Sequence, residues 1–550
     1  MRFLVPIAVI VLAACSSSGP KRVGEQPSWR GSKSAAPAVQ AQRPVTFAPS
    51  SEAAVRYNEP LKAPPASALG DAVVAAVREA AARAGTTVPI ADARLFRACE
   101  ELAAVAPEEG VLGYDVIEFA LQRNGIIEPS PHLIVVWGDI DSPQQIVEPL
   151  QPQLAEIFAD GETARVGIGA AKRKPDGTGA FVFALQGSGV STSPIPRQLA
   201  AGGSFALDAV VEARYREPEV FVTHDDGATE RLQLKLGHAG GFSAQVGCGS
   251  HKGRQQVEIT ASDQRGSTVL ANFPVWCGSK PPESLTIDAS SGDAPVTHPD
   301  EAEQRLLALV NRDRQAAGLP GLLWDDRVAA VARGHSEEMR RTRVVAHISP
   351  TTGSPADRVR AAKIKTAVVL ENVARAYGVG EAHSALMNSP GHRTNIMSTS
   401  ATHIGIGIVF GDEVSGRREI FIAQVFTRVP PKVNPQVAAD VVLQRLSEVR
   451  HVGNSARLAG PAQQLADALA AGKTREQGYA LIKKPLDALG NQYSHVGSVI
   501  TAASELDSID GHSLLGSATP DDVGIGIAQG PHPQIGEGAV WIVVLLAQKR

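Results

Sequence analysis

The stretch "HIGIGIVFGDEVSGRREIFIAQVF", beginning at His403, alternates along one strand, bends through a polar turn and alternates again. That is the pattern of a β-hairpin. Two further versions occur, "RVGIGAAKRKPDGTGAFVFAL" from Arg165 and "DVGIGIAQGPHPQIGEGAVWIVVLLA" from Asp522. Glycine is abundant, so "GIG" alone constrains little; its context constrains much more. Each hairpin follows an apolar helix pair by a similar distance, and "ADARLFRACEELA", "DDRVAAVARGHSEEM" and "GPAQQLADALAAG" fall in corresponding places. A repeat of this length is a whole domain rather than one turn of a solenoid. The chain of 550 residues has room for several cores. The expectation is three α/β domains, at 67–192, 300–430 and 433–550.

The texture between the first two is different. From 194 to 278, short alternating strands ("EVFVT", "FSAQVGC", "QVEITA", "STVLANFPVWC") are separated by turns such as "HDDGA" and "SDQRG". This predicts an all-β sandwich of immunoglobulin-like type, followed by a linker at 279–299. No chemical cluster stands out in it, which favours a spacer domain over a binding module.

The N-terminus bears on compartment. Arg2 precedes a short apolar run, Phe3 to Ala14, and then Cys15. The run is too short to cross a bilayer and reads as an export signal, 1–14. "LAAC" resembles the bacterial lipobox, which implies a lipid on Cys15 and a membrane partner through that anchor. By the same resemblance, Ser16 after the cysteine implies the outer membrane of a bacterial cell envelope. Residues 15–66, rich in Ser, Pro, Ala and Gly, read as a disordered tether. Export places the remaining thiols in an oxidising compartment, where Cys248 and Cys277, in one β-rich region, are the expected disulfide. Cys99 lies in an apolar helical pattern and reads as a buried, inert thiol. A net charge of −4 without a basic run leaves nucleic-acid binding unsupported.

Polar signatures concentrate in 300–430. Asp300 and Glu303 start a helix that Gly318 ends, and His335 shares the apolar stripe of Val328, Val331, Ala332 and Met339. "AHISPTTGSPADR" brings His347 and Arg358, "LENVA" brings Glu371 and Asn372, "MNSPGHRTNIM" brings Ser389, His392 and Asn395, and "IAQVF" brings Gln424. At these residues the segment resembles the bacterial SCP-like branch of the CAP superfamily, named for cysteine-rich secretory proteins, antigen 5 and pathogenesis-related proteins. The resemblance implies a three-layer α-β-α sandwich around an antiparallel sheet, in three copies of which the outer two are degenerate.

It also implies a cavity holding two histidines and two acids, with zinc on the histidines in some members. Matched by motif, the metal candidates are His347, Glu371 and His392; His335, Asn372, Ser389 and Asn395 line the ligand cavity. Ser389 stands where the second acid is expected, so a two-carboxylate mechanism loses a member. Two imidazoles and one carboxylate still make a competent zinc shell with an open position for water. The alternative is a hydrogen-bonded cluster that holds loops over the sheet. Arg358 is expected to pair with a local carboxylate, Asn372 and Asn395 to bond loop backbone, and His383 and His403 to be exposed and incidental.

The outer copies lack the set. In the first, "IVVWGD" stands where "VVLENV" would be, Leu102 corresponds to His335, and Leu154 lies near the place of His392. The third offers His495 and His512, with no matching glutamate. The preferred reading is binding of an unidentified envelope ligand or protein without turnover. A zinc-dependent hydrolase of envelope polymers and a purely structural scaffold stay open beside it.

Overall fold

The computed structural model describes residues 8–11, 45–60, 62–108, 112–142, 144–160, 163–287, 296–414, 417–429, 432–504, 506, 509–533 and 535–550. Cys15, most of the expected export signal and most of the tether lie outside them.

Three sheets share one topology. A short edge strand pairs in parallel with the first strand of the hairpin, the hairpin's second strand follows, and a long antiparallel strand closes the row. In chain segments these rows are Ile90–Ala91, Arg165–Lys172, Thr178–Gln186 and His132–Asp139; then Leu323–Trp324, His403–Val414, Arg417–Thr427 and Val369–Ala376; then Gly453–Asn454, Asp522–His532, Gly536–Lys549 and Tyr493–Ala503. Ala8–Val11 extends the outer edge of the first sheet, antiparallel to His132–Asp139.

Each sheet is covered on both faces, because alternate residues of a strand point to opposite sides. In the middle sheet, Ile404, Ile406, Ile408, Ile420 and Ile422 pack under helices Pro299–Ala316 and Val379–Asn388. Val373, Phe421, Ala423 and Val425 face the other way, against helix Asp326–Thr342. The first and third sheets also separate two buried clusters each. All three units are therefore α-β-α sandwiches.

The repeated glycines explain why the motif persists. A Cβ on Gly405 would lie 2.1 Å from the Ala329 nitrogen, and one on Gly407 would lie 2.1 Å from the Arg333 nitrogen. Gly167 and Gly169 meet Leu95 and the Cys99–Glu100 peptide in the same way; Gly524 and Gly526 meet Leu458 and Ala462. Backbone lies against backbone, which no residue with a side chain permits. The helices that land there begin alike, with Asp92 and Asp325 each accepting a backbone N–H of the first turn.

Residues 187–278 form the expected sandwich, a five-stranded sheet facing a four-stranded one. Cys248 and Cys277 are joined in a disulfide, and Cys99 is a buried free thiol whose pKa burial pushes up. The tether is shorter than expected. Val45–Phe47 pairs with Leu285–Ile287, part of the expected linker, and Arg56–Tyr57 pairs with Ile195–Pro196. Phe47 and Tyr57 are buried, Tyr57 with its ring 5.2 Å from that of Phe273. Two aromatic anchors thus offset the ordering of a Pro- and Ser-rich segment.

Glu303 also differs from expectation. It is fully buried rather than capping its helix: it pairs with Arg333 and accepts the Ile408 N–H.

Candidate functional site

The polar residues of the middle unit meet where strand Val369–Ala376 passes beneath helix Pro390–Ile396 and the loop after helix Asp326–Thr342. Glu371 is buried at the centre. The short helix Pro355–Ala361, begun by a Ser354–Asp357 capping box, aims Arg358 at it, and one guanidinium nitrogen donates to both carboxylate oxygens at 2.6 Å. Arg358 also donates to the carbonyls of His347, at 3.1 Å, and Gly353, at 2.7 Å. The pair is 5% and 1% exposed, so neither charge is shared with solvent.

The histidines surround this pair at a distance. His335 Nε2 donates to the Ala346 carbonyl at 2.8 Å and stands 3.9 Å from Glu371; His347 Nδ1 is also 3.9 Å from Glu371. Burial lowers the His335 pKa. His392 is more strongly affected, its pKa pushed down to about 3 by burial and by the neighbouring His347, so its ring is neutral. An amide network fixes it in place. Asn372 Nδ2 donates to the His392 carbonyl (3.2 Å) and to Gln424 Oε1 (3.0 Å), while Asn395 Nδ2 donates to Asn372 Oδ1 (2.9 Å) and to the Glu371 carbonyl (3.0 Å).

The β-sandwich closes over these residues. Glu258, on strand Gly253–Asp263, is fully buried and reaches across the domain boundary. Its carboxylate accepts a short hydrogen bond from the Ser389 hydroxyl and one of 2.7 Å from the Gly391 N–H. Ser389 Oγ in turn lies 2.7 Å from His392 Nδ1. Asn272 Nδ2 donates to the Asn388 carbonyl at 3.1 Å, and Arg393 donates to the Gly227 carbonyl at 3.2 Å. At the other end of the site the Ile348 N–H donates to the Arg265 carbonyl at 2.9 Å. There Gly266, at φ 104°, lies so close to His347 that an added Cβ would come within 2.9 Å of the His347 Cβ.

Two cavities flank the cluster. One of about 360 Å³ lies between sandwich residues Gln264 and Arg265 and the middle unit, lined there by His335, Met339, Val344 and Ile348. A smaller one, about 90 Å³, is bounded by His392, Ser389 and Arg375, by Asn272 of the sandwich and by Tyr114 and Glu118 of the first unit.

A sequence model of the cysteine-rich secretory protein family, CAP, matches residues 307–426. The middle unit is a CAP domain. Uncharacterized protein YkwD of Bacillus subtilis (strain 168) is 35% identical over 155 residues, 28% of this chain and 60% of its own. Uncharacterized membrane protein YlbC of the same organism is 36% identical over 108 residues, 20% of this chain and 31% of its own. The chain thus spans less than two thirds of either relative. Among solved structures, an extracellular protein containing an SCP domain from Bacillus anthracis str. Ames is 21% identical. That likeness covers 36% of this chain and 64% of the other, with a TM-score of 0.22.

Strand register now aligns the three copies of the sheet. Glu371 and Gly405 both lie opposite Val425 in the CAP domain, as Leu133 and Gly167 lie opposite Ala184, and Ser498 and Gly524 opposite Leu545. One residue on, Asn372 and Gln424 correspond to Ile134 and Phe183 in the first unit and to Val499 and Val544 in the third. The glycine contacts likewise set His335 against Leu102 and Leu465. Leu133 therefore stands in the place of Glu371, four residues before the Trp137 that the alignment of "IVVWGD" implied. His495 and His512 are both exposed.

As a zinc shell, His347, Glu371 and His392 fit poorly in this arrangement because Arg358 holds both oxygens of Glu371; Ser389 engages only Nδ1 of His392 and leaves Nε2. Among the described residues, three candidate ligand atoms come within 4.8 Å of one another only at Asp225, Asp226 and His251, on the sandwich. His383 departs from its expected exposure: it is buried, with Nε2 2.7 Å from Asp313 Oδ2. His403 is half-buried beside Thr402.

Glu258 is the residue that sequence reasoning missed. In "QVEITA" it reads as the outward, solvated member of an alternating strand. Gln256, Glu258 and Thr260, on the face that alternation reads as outward, are all buried, and the sequence of the strand alone carries no signal of it.

Proposed function

We propose that this is a protein of the bacterial cell envelope, anchored in the outer membrane through lipid on Cys15, whose CAP domain binds an envelope ligand or protein without turnover. The supporting observation is the Arg358–Glu371 pair, in which one guanidinium nitrogen spans both carboxylate oxygens. A carboxylate with both oxygens held by a buried guanidinium serves neither as general base nor as a ready metal ligand, and the hydrolase reading needs one of these. The cavity of about 360 Å³ is of a size that suits a small molecule, with apolar walls from Met339, Val344 and Ile348 and polar groups from His335 and Arg265.

The flanking units, with apolar residues at the matching positions apart from Ser498 in the place of Glu371, act as scaffold. The disulfide suits an oxidising compartment, and among the described residues no helix is long and apolar enough to cross a membrane.

The test is metal retention and turnover on the purified chain. After dialysis against zinc, the expected result is less than one zinc per chain, equal retention in His347→Ala and His392→Ala, and no hydrolysis of casein or peptidoglycan. One zinc per chain, lost in both variants together with a hydrolytic activity, overturns it. For the anchor, radiolabelled palmitate is expected in the wild type and not in Cys15→Ser; label persisting in the variant refutes attachment there.

A further inference from the structure

The Glu258–Ser389–His392 chain of hydrogen bonds crosses from the sandwich into the CAP domain, and its chemistry is directional. At pH 8, above the raised pKa of Glu258, its carboxylate can only accept, so the single proton of Ser389 Oγ goes to Glu258. Ser389 then has only lone pairs to offer His392 Nδ1, 2.7 Å away. A neutral imidazole has one N–H and one bare nitrogen, and the partner of one nitrogen decides which is which.

We propose that Glu258 is a positioning residue of the CAP site: acting through Ser389, it holds His392 as the Nδ1–H tautomer and leaves Nε2 as a bare acceptor. The site is then built by two domains, and the acid that the helix ending at Asn388 lacks is returned in function from a strand 131 residues before Ser389. His392 lines the cavity of about 90 Å³. With Nε2 unprotonated, His392 can receive a hydrogen bond from a ligand carrying a hydroxyl or an ammonium group; with the opposite tautomer it could only give one. The inference rests on the binding reading for that last step alone. The tautomer belongs to the free protein and is measured without a ligand, so the two fail separately.

Glu258→Gln provides a test that a merely structural role does not pass. The Gly391 N–H still needs an acceptor, so the glutamine Oε1 remains on it and the amide NH₂ turns to Ser389. Ser389 must then accept from the glutamine and donate its own proton to His392 Nδ1. The tautomer reverses while packing is preserved.

The measurement is ¹⁵N–¹H correlation of the imidazole nitrogens in the full chain labelled at histidine, at pH 8, with His392→Gln to assign the signal. The expected result is a protonated Nδ1 and bare Nε2 in the wild type, exchanged in Glu258→Gln. His383, fixed by Asp313 at 2.7 Å, reports an intact CAP domain and is expected unchanged in both. A wild-type His392 protonated on Nε2, or a Glu258→Gln signal that does not exchange while His383 is retained, overturns the proposal. Ser389→Ala keeps the test open should Glu258→Gln fail to fold: it severs the relay without adding bulk, and His392 is expected to average between tautomers. A fixed Nδ1–H form persisting in Ser389→Ala overturns the proposal equally.

Discussion

Gly407→Ala tests the packing on which all three units rest. The new methyl carbon would stand 2.1 Å from the Arg333 nitrogen and 2.3 Å from the Ala332 carbonyl carbon. Ordinary contact begins near 3.4 Å, so helix Asp326–Thr342 must retreat by more than an ångström, and backbone atoms cannot swing aside. The retreat opens the layer holding Val328, Ala332 and Met339, and it stretches the 2.8 Å bond from Ser336 Oγ to the Gly407 carbonyl. Overpacking of a filled core costs about 1–3 kcal/mol, and a stretched buried hydrogen bond adds about 1 kcal/mol. The variant should therefore lose about 2–4 kcal/mol in the CAP domain. Urea unfolding followed by hydrogen exchange of the amides in strand Arg417–Thr427 isolates that domain from the other cores. Gly334→Ala is the matched control on the same helix. Nothing lies within 4 Å of its added Cβ, so helix propensity alone acts, and stability should rise by about 0.5–1 kcal/mol. Equal effects in the two variants, or a Gly407→Ala loss below about 0.5 kcal/mol, refute the close-packing argument.

Other outcomes follow from the site and the sandwich. Arg358→Ala strands a buried Glu371 charge and should cost about 3–5 kcal/mol, whereas Arg358→Met with Glu371→Leu should come near neutral; a double variant as damaged as the single one rejects the pairing, read by the same exchange assay. Removing the disulfide with Cys248→Ala and Cys277→Ala frees a loop of sequence separation 29 and should lower sandwich stability by about 3–4 kcal/mol, measured by urea unfolding against the oxidised, disulfide-bonded wild type.

Burial raises the carboxyl pKa of Glu258 to about 7 and that of Glu118 to about 7. A raised carboxyl favours the docked state most below about pH 4.5, and that contribution is lost as pH climbs through about 7. For Glu258 this amounts to about 3 kcal/mol. His392, lowered to about 3, acts in the opposite sense: its contribution is complete above about pH 6.5 and is lost as pH falls towards 3. Between pH 5 and pH 8 Glu258 and Glu118 therefore pull the thermal midpoint down, while His392, and His132 with its pKa lowered to about 4 by burial, pull it up; Glu258→Gln should remove one downward contribution relative to the wild type, and an unchanged slope excludes Glu258 as a source.

The fold was legible where one unit alone fixes the pattern. Paired glycines two residues apart announce a helix lying on a strand, and their recurrence gave three copies of one sheet. Sandwich strands and the Cys248–Cys277 pair could be read from alternation and compartment. Residues whose burial depends on a second domain could not be read in the same way. Glu258 alternates like any solvated strand residue, and only the CAP domain turns its face inward. Phe47 and Tyr57 sat in a composition typical of disorder, though each has a pocket waiting on another segment. His383 had no visible partner until helix packing brought Asp313, 70 positions away, to its ring. Within the site, the motif resemblance named Glu371 and His347 together, and they lie 3.9 Å apart, but a motif cannot show that Arg358 already holds both oxygens.

If the sandwich completes the CAP site, the Gly391 amide reports on it directly. Gly391 stands in the first turn of helix Pro390–Ile396, where no preceding carbonyl can accept its N–H; the Glu258 carboxylate accepts it instead, at 2.7 Å. Hydrogen exchange of this one amide in the full chain should be slow in the wild type and fast in Glu258→Ala, with protection across strand His403–Val414 unchanged between them. A Gly391 amide that exchanges in the wild type as freely as an exposed one contradicts the two-domain site.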